Sequence, residues 1–172
     1  MAIPIYGIGT INVTKNYISY VITFDYFDEN KEYYNLVRKE TQKKNEEEKL
    51  KTEMQKQING EKTIINGNYV FPVVKYAKIG FKIPKISYVN FYIEMPINLV
   101  IGKNTYENIY EETTAKYDYI VTWILPKCGK FVKIDSPGNY EFENNYAFLF
   151  VSKGTKISGY ESLVFEIKEK CF

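Results

Sequence analysis

Carboxylates in pairs are the side chains of this sequence best suited to chemistry: Asp25 with Asp28 and Glu29, Glu111 with Glu112, and Asp118 with Asp135. Two neighbouring acids can divide the work of general acid and general base, provided that they converge in a cleft. Each of these pairs reads equally well as a solvated turn or strand end, so no catalytic residue is assigned. Asp25, Asp28 and Glu29 also gather oxygen ligands of the kind calcium takes, but without the ordered spacing of a calcium-binding loop. Helix capping by Asp28 is the simpler expectation. The 172 residues include no histidine, which removes Ser-His-Asp and Cys-His triads and histidine metal sites.

Cys128 and Cys171 are the two cysteines. With no histidine to help them, they fall short of the four ligands of a structural zinc site, so no metal is expected. Free thiols in a reducing compartment are the expectation, with a bridge tying down the tail as the alternative. Gly7-Ile8-Gly9-Thr10 lacks the third glycine and the following helix of a phosphate-binding loop. It predicts a bulge or a close backbone approach within a strand. No cofactor is implied by any motif.

Aromatic residues make up 17% of the chain, with 17 Tyr and 11 Phe. Rings in such number could form the rim of a core, a stacking surface for nucleic acid or sugars, or a subunit interface. The formal net charge is only +2, and Arg38 is the single arginine among 23 basic residues. A phosphate backbone calls for a basic groove and favours arginine forks, so specific nucleic-acid binding is not expected. No stretch approaches the roughly 18 apolar residues of a membrane span. The N-terminus lacks the basic start and apolar run of a secretory signal, so synthesis in the cytoplasm is expected.

These side chains must be positioned by a mostly β framework. The chain is divided by one charged segment, Asp28 to Lys62, which holds nine acidic and nine basic residues. A single helix is predicted from about 29 to 58, capped by Asp28 and stopped at Asn59-Gly60. Its apolar positions lie at the two ends, Tyr33, Tyr34 and Val37 with Leu36, then Leu50, Met54 and Ile58. Between Arg38 and Lys49 it has none, so that part is expected to be solvated or held by a partner. Tyr33, Tyr34, Val37, Leu50, Met54 and Ile58 are accordingly the candidate interaction residues.

On either side, a period of two predicts strands. Residues 3–13 and 17–27 form a hairpin, and Asn66-Gly67 marks another. Further strands are expected at 75–83, 87–95, 117–125, 130–135 and 162–168, with 117–125 central. Residues 140–152 read as one long strand, buried on both faces from Tyr146 to Val151. The fold class is therefore a mostly β, antiparallel β-sandwich, jelly-roll-like, with one inserted helix near 29–58, as a single β-rich domain over 1–172. A closed barrel or a sheet gripping the helix is the alternative. The leading functional expectation is a non-enzymatic structural or assembly protein, for instance a virion or particle component, acting on a protein partner or on copies of itself. The alternative is a small-ligand-binding barrel or helix-grip module with an aromatic-lined cavity. A cavity of several hundred Å³ lined by rings would favour binding, and a filled core would favour assembly.

Overall fold

Alternating apolar residues in strand after strand need a common face to bury, and two stacked sheets supply it. The computed structural model describes residues 1–171. In chain order the elements are β1 (Ile3–Val13), β2 (Tyr17–Phe27), α1 (Glu32–Leu36), α2 (Glu40–Asn59), β3 (Lys62–Ile65), β4 (Asn68–Val70) and β5 (Val73–Ile83). They continue with β6 (Ile86–Pro96), β7 (Gly102–Ile109), β8 (Thr113–Thr114), β9 (Asp118–Ile124), β10 (Lys130–Asp135) and β11 (Asn139–Glu143). Last come β12 (Tyr146–Val151), β13 (Lys156–Ile157), β14 (Tyr160–Ile167) and a short 3-10 turn, Glu169–Cys171.

The larger sheet has seven strands in the order β11-β12-β9-β1-β2-β6-β5, and the smaller has five, β10-β14-β7-β3-β4. Neither closes into a barrel. The expected hairpins are present: β1 pairs β2, and β3 pairs β4 through Asn66 (φ 50°) and Gly67 (φ 79°), the left-handed pair that this tight turn requires. One pairing departs from the antiparallel expectation. β9 lies beside β1 in parallel, with Gly7 opposite Tyr119 and Ile11 opposite Trp123. The position of β9, third from one edge, is as central as expected.

Three further expectations are corrected. Residues 140–152 are a hairpin, β11 and β12, because Asn144 takes a positive φ of 51°, which asparagine tolerates better than most residues. On β12 Ala147, Leu149 and Val151 are buried while Tyr146, Phe148 and Phe150 are exposed, so the apolar run is half-buried rather than covered on both faces. The register shift in β1 falls between Pro4 and Tyr6, so Gly7 and Gly9 pair regularly and mark no bulge, whereas the expected close approach is found at Gly7, against Tyr119. Cys128 and Cys171 are joined in a disulfide.

The charged segment is two helices, not one. Lys39, with φ −113° and ψ 87°, breaks the run between α1 and α2. Asp28 does serve the first helix, its Oδ2 accepting the Tyr33 N–H at 2.8 Å. The middle of the segment is anchored by a polar contact within the chain. Glu47 is buried, and its carboxylate accepts the Ile79 N–H at 3.0 Å and pairs with Lys43 and Lys78, each at 3.2 Å. Two turns on, Gln55 accepts the Val74 N–H at 2.8 Å and donates to the Pro72 carbonyl at 3.1 Å. Ile79 and Val74 belong to β5, an edge of the larger sheet. The helix therefore occupies amides that an edge strand would otherwise offer to another chain.

Burial raises the Glu47 pKa, but the Ile79 amide and the two lysines outweigh it, so the carboxyl titrates below its usual range. Its contribution is present above the ordinary carboxylate pKa and is lost as pH falls through the lower folded value. Glu47→Ala leaves the Ile79 N–H without its acceptor and is expected to cost about 2 kcal/mol in urea denaturation. Glu47→Gln keeps an acceptor and is expected to cost less.

Among the described residues three apolar clusters fill the interior, the smallest being Ala115, Val151 and Ile157. Trp123, Leu149 and Met95 of the larger sheet meet Phe131, Leu163 and Phe165 of the smaller one between the layers. Beyond the reach of the smaller sheet, α1 and α2 cover the inner face, laying Leu36, Leu50 and Ile58 on Ala77, Val89 and Phe91.

Candidate functional site

Where the smaller sheet ends and the helices begin, the cover over the inner face is incomplete, and a cavity of about 320 Å³ remains. Its floor belongs to the middle strands of the larger sheet. Gly7 and Gly9 face it side by side with Phe24 and Ile22 of β2 and with Tyr119 and Val121 of β9, all in register. The glycines are what leave the space. A Cβ on Gly9 would meet only Val121, at 3.6 Å, whereas one on Gly7 would press on Tyr119 at 3.1 Å and Tyr117 at 3.3 Å. Six rings line the walls: Tyr20, Phe24, Tyr106, Tyr117, Tyr119 and Trp123. Met54, Gln57 and Ile58, from the last turns of α2, close one side. Gln57 is exposed, so the cavity reaches the surface beside the helix end.

The opposite wall is polar. On the inward face of the smaller sheet, Glu161 of β14 stands beside Asn108 of β7, which stands beside Thr63 of β3. At about 4.8 Å between strands, Glu161 and Thr63 lie about 10 Å apart. Glu61 precedes Thr63 by two residues and so projects to the same side. The Asn108 amide donates to Glu61 Oε2 at 2.9 Å, and Thr63 Oγ1 donates to Asn108 Oδ1 at 3.1 Å. Both acids line the cavity, and no lysine or arginine does.

This setting moves their protonation. Burial, then the charge of Glu61, pushes the Glu161 carboxyl up to about 7, against a smaller opposing effect of Ser136. Burial also raises Glu61, although the Asn108 hydrogen bond opposes it. Neutral tyrosine is favoured nearby for the same reasons: Tyr119 is pushed up to about 12 by burial, then by Glu161 and Tyr117. Tyr106 is raised well above the ordinary tyrosine value, by burial and then by Glu161. The Tyr106 side chain is 7% exposed and that of Trp123 4%. Their rings meet edge to face at 4.8 Å, and both residues line the cavity.

The candidate acids named from the sequence lie elsewhere. Asp25 pairs with Lys82, Glu29 with Lys85 at 2.6 Å, and Glu112 with Lys156 at 2.8 Å. Asp118 accepts the Lys153 N–H at 2.7 Å, while Asp135 lies exposed at the end of β10 on the other sheet. Among the described residues, no group of three or more acids and cysteines is placed to hold a metal ion. Of the candidate interaction residues, Tyr33, Val37, Leu50, Met54 and Ile58 pack against the larger sheet of the same chain. Tyr34 lies between Phe81, ring to ring at 4.7 Å, and the Arg38 guanidinium at 4.2 Å. Only Met54 and Ile58 reach the cavity. Glu61 and Glu161 escaped the sequence reading, although parity marks them: 61, 63 and 65 share one face, as do 161, 163, 165 and 167.

No protein-family model matches the chain. No curated protein matches it either. Among solved structures, yeast LTA4 hydrolase in complex with bestatin aligns with 97% of this chain at 10% identity and a TM-score of 0.36. An M1 zinc metallopeptidase from Deinococcus radiodurans aligns with 96% at 9% identity and 0.33. An acetylcholine-binding protein from Biomphalaria glabrata aligns with 95% at 8% identity and 0.33. The chain spans 29% of the yeast enzyme, 42% of the bacterial one and 86% of the snail protein. Likeness at this level carries no argument about what the chain does.

Proposed function

We propose that this protein is a small-molecule-binding module whose ligand enters the cavity between the two sheets and α2. The observation that carries this reading is the cavity itself: about 320 Å³, walled by six aromatic rings and two acids. Binding sites of small molecules are concave, mostly apolar, and carry a few convergent polar groups that fix orientation. A chain that needed only a stable core would gain by filling the space, since each uncompensated void forfeits packing energy.

Trp123 is the single tryptophan and lines the site, so its fluorescence reports occupancy directly. A panel of small amphipathic molecules is expected to contain compounds that change this emission saturably. Gly9→Leu, which drives a side chain into the open space, is expected to abolish that response while the fold persists. Gly9→Ala meets only Val121 at ordinary contact distance; it should change stability by less than about 0.5 kcal/mol, as a substitution made without strain does. If no compound alters Trp123 emission, or if Gly9→Leu binds as the parent does, the reading fails.

A second reading, assembly through protein contacts, is favoured by a different observation. The outer face of the larger sheet carries Tyr146, Phe148 and Phe150 on β12, with Ile8 two strands away on β1 and Tyr92 two strands beyond that on β6, all more than a third exposed. Exposed apolar patches of this kind are commonly interfaces. The observable that separates the readings is solution mass, since assembly requires self-association or a recovered protein partner. Among the described residues, no helix is long and apolar enough to cross a membrane.

A further inference from the structure

We propose that the occupant of the cavity is a small organic cation, an amine with an apolar or aromatic body, whose ammonium lies between Glu61 and Glu161. This rests on the binding reading above and narrows it to a ligand class. The cavity is lined by two carboxylates and by no basic side chain, so its own residues supply nothing to balance the acids. Its remaining polar surface consists of Thr63, Ser136, Gln57, Asn108 and tyrosine hydroxyls, which are neutral. The faces of the six rings are the negative ends of their quadrupoles and attract a cation that is shielded from water.

The geometry separates the two halves of such a ligand. Glu161 and Glu61 flank Asn108 on the smaller sheet, and Asn108 is already engaged by Thr63 and Glu61. An ammonium has three donors and no acceptor. It can serve both carboxylates and donate to the hydroxyl of Tyr106, a buried residue that lines the same cavity. Across the cavity, Tyr20, Phe24, Tyr117 and Trp123 offer an apolar wall to the body of the molecule. An anion would meet two acids with no counter-charge. A neutral molecule would leave the like charges of Glu61 and Glu161 facing each other.

The test compares 2-phenylethylamine with its neutral isostere 2-phenylethanol on the native chain, read by Trp123 fluorescence and by calorimetry at pH 8. The amine is expected to bind at least tenfold more tightly than the alcohol. In the variant Glu61→Gln/Glu161→Gln, which keeps shape and hydrogen-bonding capacity, that preference for the amine over the alcohol should vanish. Equal affinity of amine and alcohol for the native chain overturns the cation assignment and leaves the binding reading standing. Failure of both compounds at millimolar concentration overturns the assignment as well, and the wider panel with Gly9→Leu then judges the binding reading by itself. The comparison on the native chain stands even if the double variant folds poorly.

Discussion

Reducing the Cys128–Cys171 bridge is expected to remove about 4 kcal/mol of stability, the value the chain-entropy account gives for a loop of this size. The two cysteines are separated by 43 positions, and the bridge ties the turn before β10 to the last turn of the chain. Within that loop lie β10 through β14, including the fully buried Phe131 and Phe165. Closing it restricts an unfolded chain far more than the folded one, where β10 and β14 already pair. Cys171 also packs against the main core, so its loss loosens the 3-10 turn, in which the Cys171 N–H donates to the Lys168 carbonyl at 2.9 Å. For a domain of this length, about 4 kcal/mol corresponds to a fall in Tm of roughly 10 °C. Melts with and without reductant measure it. Cys171→Ser should melt at the lower temperature under both conditions, and a parent indifferent to reductant would contradict the expectation.

Stability is also expected to fall by about 3 kcal/mol as pH rises from 4.5 to above 7, because of Glu161. Its carboxyl titrates near 7 in the fold against 4.5 for an unhindered glutamate. Over that interval the unfolded chain gives up the proton first, so the folded state must either hold a neutral acid or bury a charge. The stabilising contribution is complete below 4.5 and is lost as pH passes through 7. Burial sets the direction, Glu61 ahead of β3 adds to it, and the other groups that face Glu161, Tyr106 and Tyr110 from β7 and its end and Tyr119 of β9, offer no positive charge, while Ser136 opposes weakly. Glu161→Gln should flatten the curve between pH 5 and 8 and make the chain more stable than the parent at pH 8. Glu47 works in the opposite sense at acid pH, so the parent should be most stable at mildly acidic pH. Urea titrations across that range would show both limbs. A parent curve that stays flat from pH 5 to 8 would contradict the assignment for Glu161.

Much of the framework was legible because strand alternation is a local signal. The faces of residues 17–27, 87–95 and 162–168 could be assigned from parity alone, and Asn66-Gly67 named its own turn. What stayed hidden depends on pairing across the chain. Nothing between Tyr6 and Trp123 announces that β9 will lie parallel to β1, because parallel and antiparallel neighbours present the same alternation. The break at Lys39 was obscured for a related reason, since charged residues without apolar spacing leave a helix boundary unmarked. Glu47 looked like one more solvated charge, and only the edge amide of Ile79 makes it an anchor. The cavity is a product of tertiary placement. Gly7 and Gly9 were visible as oddities in a strand, but the space they leave exists only once Tyr119 and Val121 are laid beside them and the smaller sheet stops short. Glu61 and Glu161 are a hundred residues apart in sequence and meet through β7.

The placement of α2 ties two behaviours together. Glu47 and Gln55 occupy the amides of β5, while Met54 and Ile58, on the same rigid rod, wall the cavity. A swing of that rod wide enough to admit a guest would also uncover a ribbon margin ready to recruit a neighbouring molecule. A guest that seats the rod firmly therefore protects the chain from polymerising, and concentrated, empty protein is the form most exposed to that fate.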